Sequence, residues 1–352
     1  MIGTIKKYTA TILFLLLALV SVSVSASSSA PRNSVTLELD QGKTPLGHEV
    51  AILEDPSSTL TFEDILQGEH AGHFERSQWE VPNFGFTDSA YWVRVRLKHD
   101  EPNSERWFFE VGHALLKHLD VYQVDAGTGP VEQAADKVRH WRGGRAVELS
   151  ERPYEHRTHV FPMRFDAYSD STLFVRISSQ GSMTLPMAMW PVDRFAHKAS
   201  TEFSLIGLYI GLLLGLLAYN LFIWSIVRET AYLLYCGFIT STIYFFLTLS
   251  GTGDFYFAPY FPNDTAPMAF AFVATFALFF SVNFLDSRRN LPIYHYLLFA
   301  MATSALVIVV FSPLLPYRLT AQASSVGGIV WSLGLIGAGL IALRRGIPAA
   351  RY

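Results

Sequence analysis

Charge is what this sequence has least of: only 16% of its 352 residues are Asp, Glu, Lys or Arg, against about 25% in soluble domains. The shortage is local, because just 11 of those charges lie beyond residue 202. A chain that is 50% apolar and so unevenly charged is not a single soluble enzyme domain, a disordered chain or a collagen-like one. Cysteine occurs once, at Cys236, which excludes an intrachain disulfide and a cysteine cage for a metal. Positive charge is not in excess: a net charge of -3 gives no reason to expect nucleic acid as a partner. Catalytic signatures are lacking as well. No Gly-x-Ser-x-Gly elbow occurs, and no Gly-rich loop runs into Lys-Ser or Lys-Thr, so neither an enzyme nor a cofactor is expected.

What is present is two materials joined end to end. Lys6 and Lys7 precede an uncharged run to Val24, and Val24-Ser25-Ala26 supplies the small residues that signal peptidase reads, so residues 1–26 form a signal peptide. Residues 27–200 then make one exported domain. From Phe203, five uncharged stretches can each cross a hydrocarbon core of about 30 Å: residues 203–227, 231–249, 266–285, 292–311 and 319–343, within a membrane region 203–345. Arg228, Arg288, Arg289, Arg344, Arg345 and Arg351 follow the first, third and fifth spans, whereas the opposite loops carry only Arg318 beside Asp254 and Asp264. The Arg-rich side belongs in the cytoplasm. Export of the amino-terminal half predicts the same orientation independently, and it leaves a short cytoplasmic stub, 344–352.

The exported half reads as strands. Tyr91-Trp-Val-Arg-Val-Arg-Leu-Lys98 alternates strictly, and seven similar runs lie at 34–39, 49–53, 106–111, 119–124, 160–165, 173–179 and 185–190. A single short helix, 61–67, is opened by Thr61 with Asp64 three positions on. About eight strands without long helices predict an all-β jelly-roll sandwich. With Val93, Trp107, Val121 and Val175 inward, the opposite side presents Trp92, Phe108, Tyr122 and Phe174 among Arg94, Arg96, Arg106, Glu110, Asp120 and Arg176. Aromatic faces beside planar charged groups suit a sugar or another polar metabolite. The competing reading, which weighs more while the strand order is unknown, is a half-solvated sheet whose charges pair and whose aromatics lie under a loop. The pairs His70/His73 and His156/His159 lie in loop or strand, and they read as surface histidines rather than metal ligands.

No Asp, Glu, Lys or Arg interrupts the five spans, which argues against an ion-coupled carrier. Gly207, Gly211 and Gly215 recur every four residues, as do Ser324, Gly328 and Ser332. Such strips let helices approach closely, within the bundle or as a homodimer face. Asn220 and Asn283 can add hydrogen bonds between helices.

The run Asn83-Phe-Gly-Phe-Thr-Asp-Ser-Ala-Tyr-Trp-Val-Arg-Val-Arg-Leu97 carries a likeness to a known family. It continues through Trp107-Phe-Phe-Glu-Val-Gly112, Leu119-Asp-Val-Tyr122, Arg152-Pro, His156-Arg157, Phe161-Pro162 and Ser178-Ser-Gln-Gly-Ser-Met-Thr-Leu-Pro186. With Gly207-Leu-Tyr-Ile-Gly-Leu-Leu-Leu-Gly215 opening the membrane half, the sequence resembles bacterial seven-transmembrane receptors with diverse intracellular signalling modules, in the branch with the type-2 periplasmic domain. The resemblance implies a periplasmic jelly roll similar to carbohydrate-binding modules, seven helices, and a cytoplasmic output such as a diguanylate cyclase or histidine kinase. Five spans rather than seven precede Tyr352, so the expected output lies outside this sequence. The reading is a receptor of the bacterial inner membrane that binds a small periplasmic ligand and signals inward. Two alternatives stand beside it: a carbohydrate-binding scaffold that does not signal, and a transporter of neutral solute.

Overall fold

Alternation along Ala90–His99 organises the first half of the molecule, because a strand sends successive side chains to opposite faces. The computed structural model describes residues 34–66, 70–125, 138–257 and 265–347; the expected signal peptide lies outside them. The described strands are β1 (Val35–Leu37), β2 (Thr44–Pro45), β3 (Ala51–Asp55), β4 (Glu75–Arg76), β5 (Asn83–Phe86), β6 (Ala90–His99) and β7 (Glu105–Val111). They continue with β8 (His118–Asp125), β9 (Val138–Gly143), β10 (His159–Phe165), β11 (Ser169–Ser178), β12 (Ser182–Thr184) and β13 (Met187–Pro191).

One sheet runs β4-β3-β6-β11-β8-β9 and a second runs β10-β7-β13-β2, while β5 and β12 form a short ribbon. Every pairing is antiparallel except β1 beside the end of β6. Val93, Val95, Val121 and Val175 of the first sheet meet Trp107, Phe109, Met163 and Phe165 of the second in a common core, which makes this half an all-β sandwich. Several strands beyond those expected are two or three residues long, and β9 reads Val-Arg-His-Trp-Arg-Gly, with too few apolar positions for alternation to register. The short helix α1 (Phe62–Leu66) starts as expected. Asp64 N–H donates to Thr61 Oγ1 at 3.3 Å and Thr61 N–H donates to Asp64 Oδ2 at 2.9 Å, a reciprocal cap.

Beyond Pro191 the chain is helical: α2 (Val192–Val227), α3 (Thr230–Ser250), α4 (Thr252–Phe257), α5 (Ala266–Phe284), α6 (Ser287–Asn290), α7 (Pro292–Phe311) and α8 (Tyr317–Arg344). Of these, α2, α3, α5, α7 and α8 are long and apolar enough to cross a membrane. The first begins eleven residues earlier than the hydropathy placed it. Its 36 residues extend about 54 Å at 1.5 Å each, well beyond a bilayer core, so the turns carrying Asp193, Arg194, His197, Lys198 and Glu202 remain beside the sandwich.

Two packing expectations are corrected. A methyl group added at Gly207, Gly211 or Gly215 would meet nothing within 4 Å, so this strip seats no other helix of the bundle. Asn220 is buried but donates to the Leu216 carbonyl of its own helix at 2.8 Å, because that carbonyl one turn back is the nearest acceptor; Asn283 is exposed. The second strip does pack. Ser324 donates to the Pro267 carbonyl at 3.1 Å, and a Cβ on Gly328 would come within 2.6 Å of the Phe270 ring, so α8 and α5 lie close there.

Candidate functional site

The six residues expected to line a ligand face are divided between opposite sides of the sandwich. Trp92, Arg94, Arg96, Tyr122 and Arg176 lie on the outer side of the first sheet, whereas Phe108 lies on the outer side of the second. The first group is roofed. Phe62 of α1 stacks on Tyr122 at 4.1 Å and meets Phe174 edge-on at 5.8 Å, while Ile65 joins Trp92, Leu53 and Val124 in a second small core. Trp92 is 0% exposed. Tyr122 is held between Phe62 and His140, and burial, followed by the Asp120 charge, pushes its hydroxyl pKa up to about 12. Arg94 lies over the Phe74 ring at 4.4 Å, Arg176 donates to the Ser58 carbonyl at 2.8 Å, and Arg96 is left exposed. These residues therefore do not form one open aromatic face. Outward apolar residues on a sheet need cover, and residues 60–74 supply it.

An open cleft lies instead at the mouth of the sandwich, between the β3–β4 edge and the crossing segment 77–82. It measures about 580 Å³, within the roughly 300–1,000 Å³ typical of small-molecule sites. Its lining includes Glu54, Glu75, Gln78, Trp79, Phe84 and Tyr91. The crossing segment is fixed at both ends: Ser77 N–H donates to the Val50 carbonyl at 2.9 Å, and the Pro82 carbonyl accepts from Leu185 N–H at 2.8 Å.

The densest polar arrangement lies where sandwich and helices meet. β13 ends at Pro191, which has no N–H to continue a ladder, and α2 starts at the next residue. Three residues later Phe195 is fully buried among Phe108, Tyr154, His156 and Trp190, with ring centroids 5.1 to 6.4 Å away. One turn on, the Lys198 ammonium pairs with Glu110 of β7 and lies 3.4 Å from Glu202. Glu110 also accepts from Thr158 Oγ1 at 2.9 Å and from Trp190 Nε1 at 3.0 Å. Arg157 closes the network, donating to Glu202 at 2.6 Å and to the Ser250 carbonyl at the end of α3 at 3.1 Å.

Further along the same boundary, Arg145 grips Asp254 of α4 through two bonds of 2.9 and 3.0 Å, its side chain only 4% exposed. Asp88 pairs with Arg318 of α8. Every charge in this hub has an opposite partner, as the low polarizability of a half-buried boundary requires.

His156 and His159, expected on the surface, are buried. His156 packs against the rings of Phe195 and Phe203, and burial pushes its pKa down to about 4 despite the Glu110 carboxylate nearby; burial and then Arg152 push His159 down to about 3. The hub was legible only in pieces. Glu110 and Asp254 stood out as charges without roles, and Lys198 and Glu202, four residues apart just before an apolar run, mark one helical face.

Compared with known protein families, residues 47–191 match 7TMR-DISM extracellular 2 and residues 202–352 match 7TM diverse intracellular signalling. No curated protein matches the chain.

Proposed function

The chain belongs to the 7TMR-DISM family of membrane receptors, and from that premise we propose that its extracellular sandwich binds a small polar ligand and passes the bound state to the helices through the base of α2. The observation that carries this reading is the absence of any linker between β13 and α2, combined with the Glu110–Lys198–Glu202–Arg157 network that fastens the two together. A ligand shifts a receptor only by favouring one arrangement over another, and it needs a stiff connection to make that preference felt at a distance.

Under this reading the protein spans a bacterial inner membrane with its sandwich in the periplasm. Arg228, Arg288, Arg289, Arg344 and Arg345 lie at the helix ends or short connections away from the sandwich, which supports a cytoplasmic position for them. There they would meet the output module. Inserting Gly-Ser-Gly-Ser after Lys198 is expected to give cells the transcript profile of a strain lacking the protein, with the protein still present in the membrane. A profile matching the wild type would overturn the proposal.

A further inference from the structure

Resting on the receptor reading, we infer that the ligand held at the sandwich mouth is an organic ammonium ion. The walls of the 580 Å³ cleft supply the two things such an ion needs, an aromatic face and unspent negative charge. Phe84 stacks on Tyr91 at 3.8 Å with the planes 15° apart, forming an aromatic floor where the sandwich opens. Trp79 stands at the rim, 69% exposed and without a ring partner among the described residues.

Glu54 faces Tyr91 across the β3–β6 ladder, so its carboxylate lies on the core-facing side of the strand at the opening. It accepts from Ser89 Oγ at 2.6 Å and keeps its charge. Glu75, opposite Ile52 in the neighbouring strand, has no side-chain partner among the described residues. The one arginine in the lining, Arg76, is committed elsewhere, donating to Glu49 at 2.7 Å and to the His48 carbonyl at 3.1 Å. The field of the opening is therefore negative and repels anionic ligands. A compact metal ion needs several oxygens gathered at one point, and the described residues hold no group of three or more His, Cys, Asp or Glu able to do this. A small alkylammonium needs only one or two carboxylates and a ring face.

The location also connects the site to the hub. The crossing segment presents Gln78, Trp79 and Pro82 to this cleft. Its Glu80 and Val81 line a smaller, 200 Å³ cleft together with Glu110, Trp190, Lys198 and Glu202. A Cβ on Gly47 would fall 1.7 Å from the Glu80 carbonyl, so the segment is pressed against its support there. A cation drawn between Glu75 and Trp79 pulls on the strip of chain whose other side borders the Lys198 pair.

The test is calorimetric titration of the full chain in lipid nanodiscs with choline and with putrescine, and with maltose and calcium as comparators. Saturable binding of at least one amine is expected, weakened about tenfold by a rise in salt that shrinks the screening length from roughly 10 Å to 3 Å, and similarly by Glu75→Gln or Trp79→Ala. Both side chains are exposed, and thermal melts of the variants check that the fold is kept. Failure of both amines to bind, stronger binding of maltose or calcium, or amine binding indifferent to both substitutions would overturn the inference. The two proposals fail separately: amine binding that survives with a Gly-Ser insertion that does not uncouple defeats the receptor reading alone, whereas an uncoupling insertion with no amine binding defeats the ammonium assignment alone.

Discussion

Lys198, on the second turn of α2, places its ammonium directly against the Glu110 carboxylate of β7, the two side chains being 19% and 7% exposed. Such a pair contributes little when compared with apolar replacements, yet removing one partner strands the other charge. Glu110→Ala is expected to cost about 3 kcal/mol, and the double variant Glu110→Ala with Lys198→Met less than the sum of the single losses. Urea unfolding in a double-mutant cycle measures this. A coupling below about 0.5 kcal/mol would reduce the contact to an ordinary surface pair.

Gly251 joins α3 to α4 with φ +74°, and a Cβ there would lie 2.4 Å from the Arg157 carbonyl oxygen and 2.8 Å from the Ala114 Cβ. Both the left-handed backbone and the close approach of the sandwich demand glycine. Gly251→Ala should lower the melting temperature of the chain and speed amide exchange around Ser250 and Arg157. Gly207→Ala, which meets nothing within 4 Å, should cause no loss. Equal behaviour of the two variants would contradict the close junction.

His156 is neutral when folded, its pKa pushed down to about 4 by burial, whereas the unfolded imidazole titrates near 6.5. Between those values the unfolded chain binds the extra proton, so stability is full above about pH 6.5 and falls as pH drops toward 4. The loss across this window is about 3 kcal/mol. His156→Gln should flatten that part of the stability profile, as followed by urea midpoints from pH 7.5 to 4. An unchanged slope would show that other groups govern it.

Trp92 is packing rather than binding surface. Trp92→Ala should destabilise the sandwich by about 3–5 kcal/mol through the cavity it opens, while Arg96→Ala on the same strand should stay within about 0.5 kcal/mol. Chemical denaturation of both variants separates them. A fully stable Trp92→Ala protein would mean that residues 60–74 do not cover the sheet.

The division into a strand-rich exported half and an apolar helical half was readable because period-two alternation and long uncharged runs are local patterns. Trp92 and Phe108 were grouped because both lie opposite inward residues. Which sheet a strand joins depends on long-range pairing, and the order β10-β7-β13-β2 carries Phe108 to the other side. The cover over Trp92 was hidden for a similar reason: Phe62 and Ile65 show that α1 has an apolar side but not which sheet it meets. The early start of α2 was missed because hydropathy marks where a helix becomes apolar, whereas Lys198 and Glu202 are helical and charged.

The claim on which the account depends is that the sandwich and α2 move as one body. Electron–electron resonance distances between spin labels at Asp170 and Arg228, in a Cys236→Ser background in lipid nanodiscs, test it directly. A single narrow distribution is predicted, broadened by Gly-Ser-Gly-Ser inserted after Lys198. A distribution already broad without the insertion, or unaltered by it, would contradict the account.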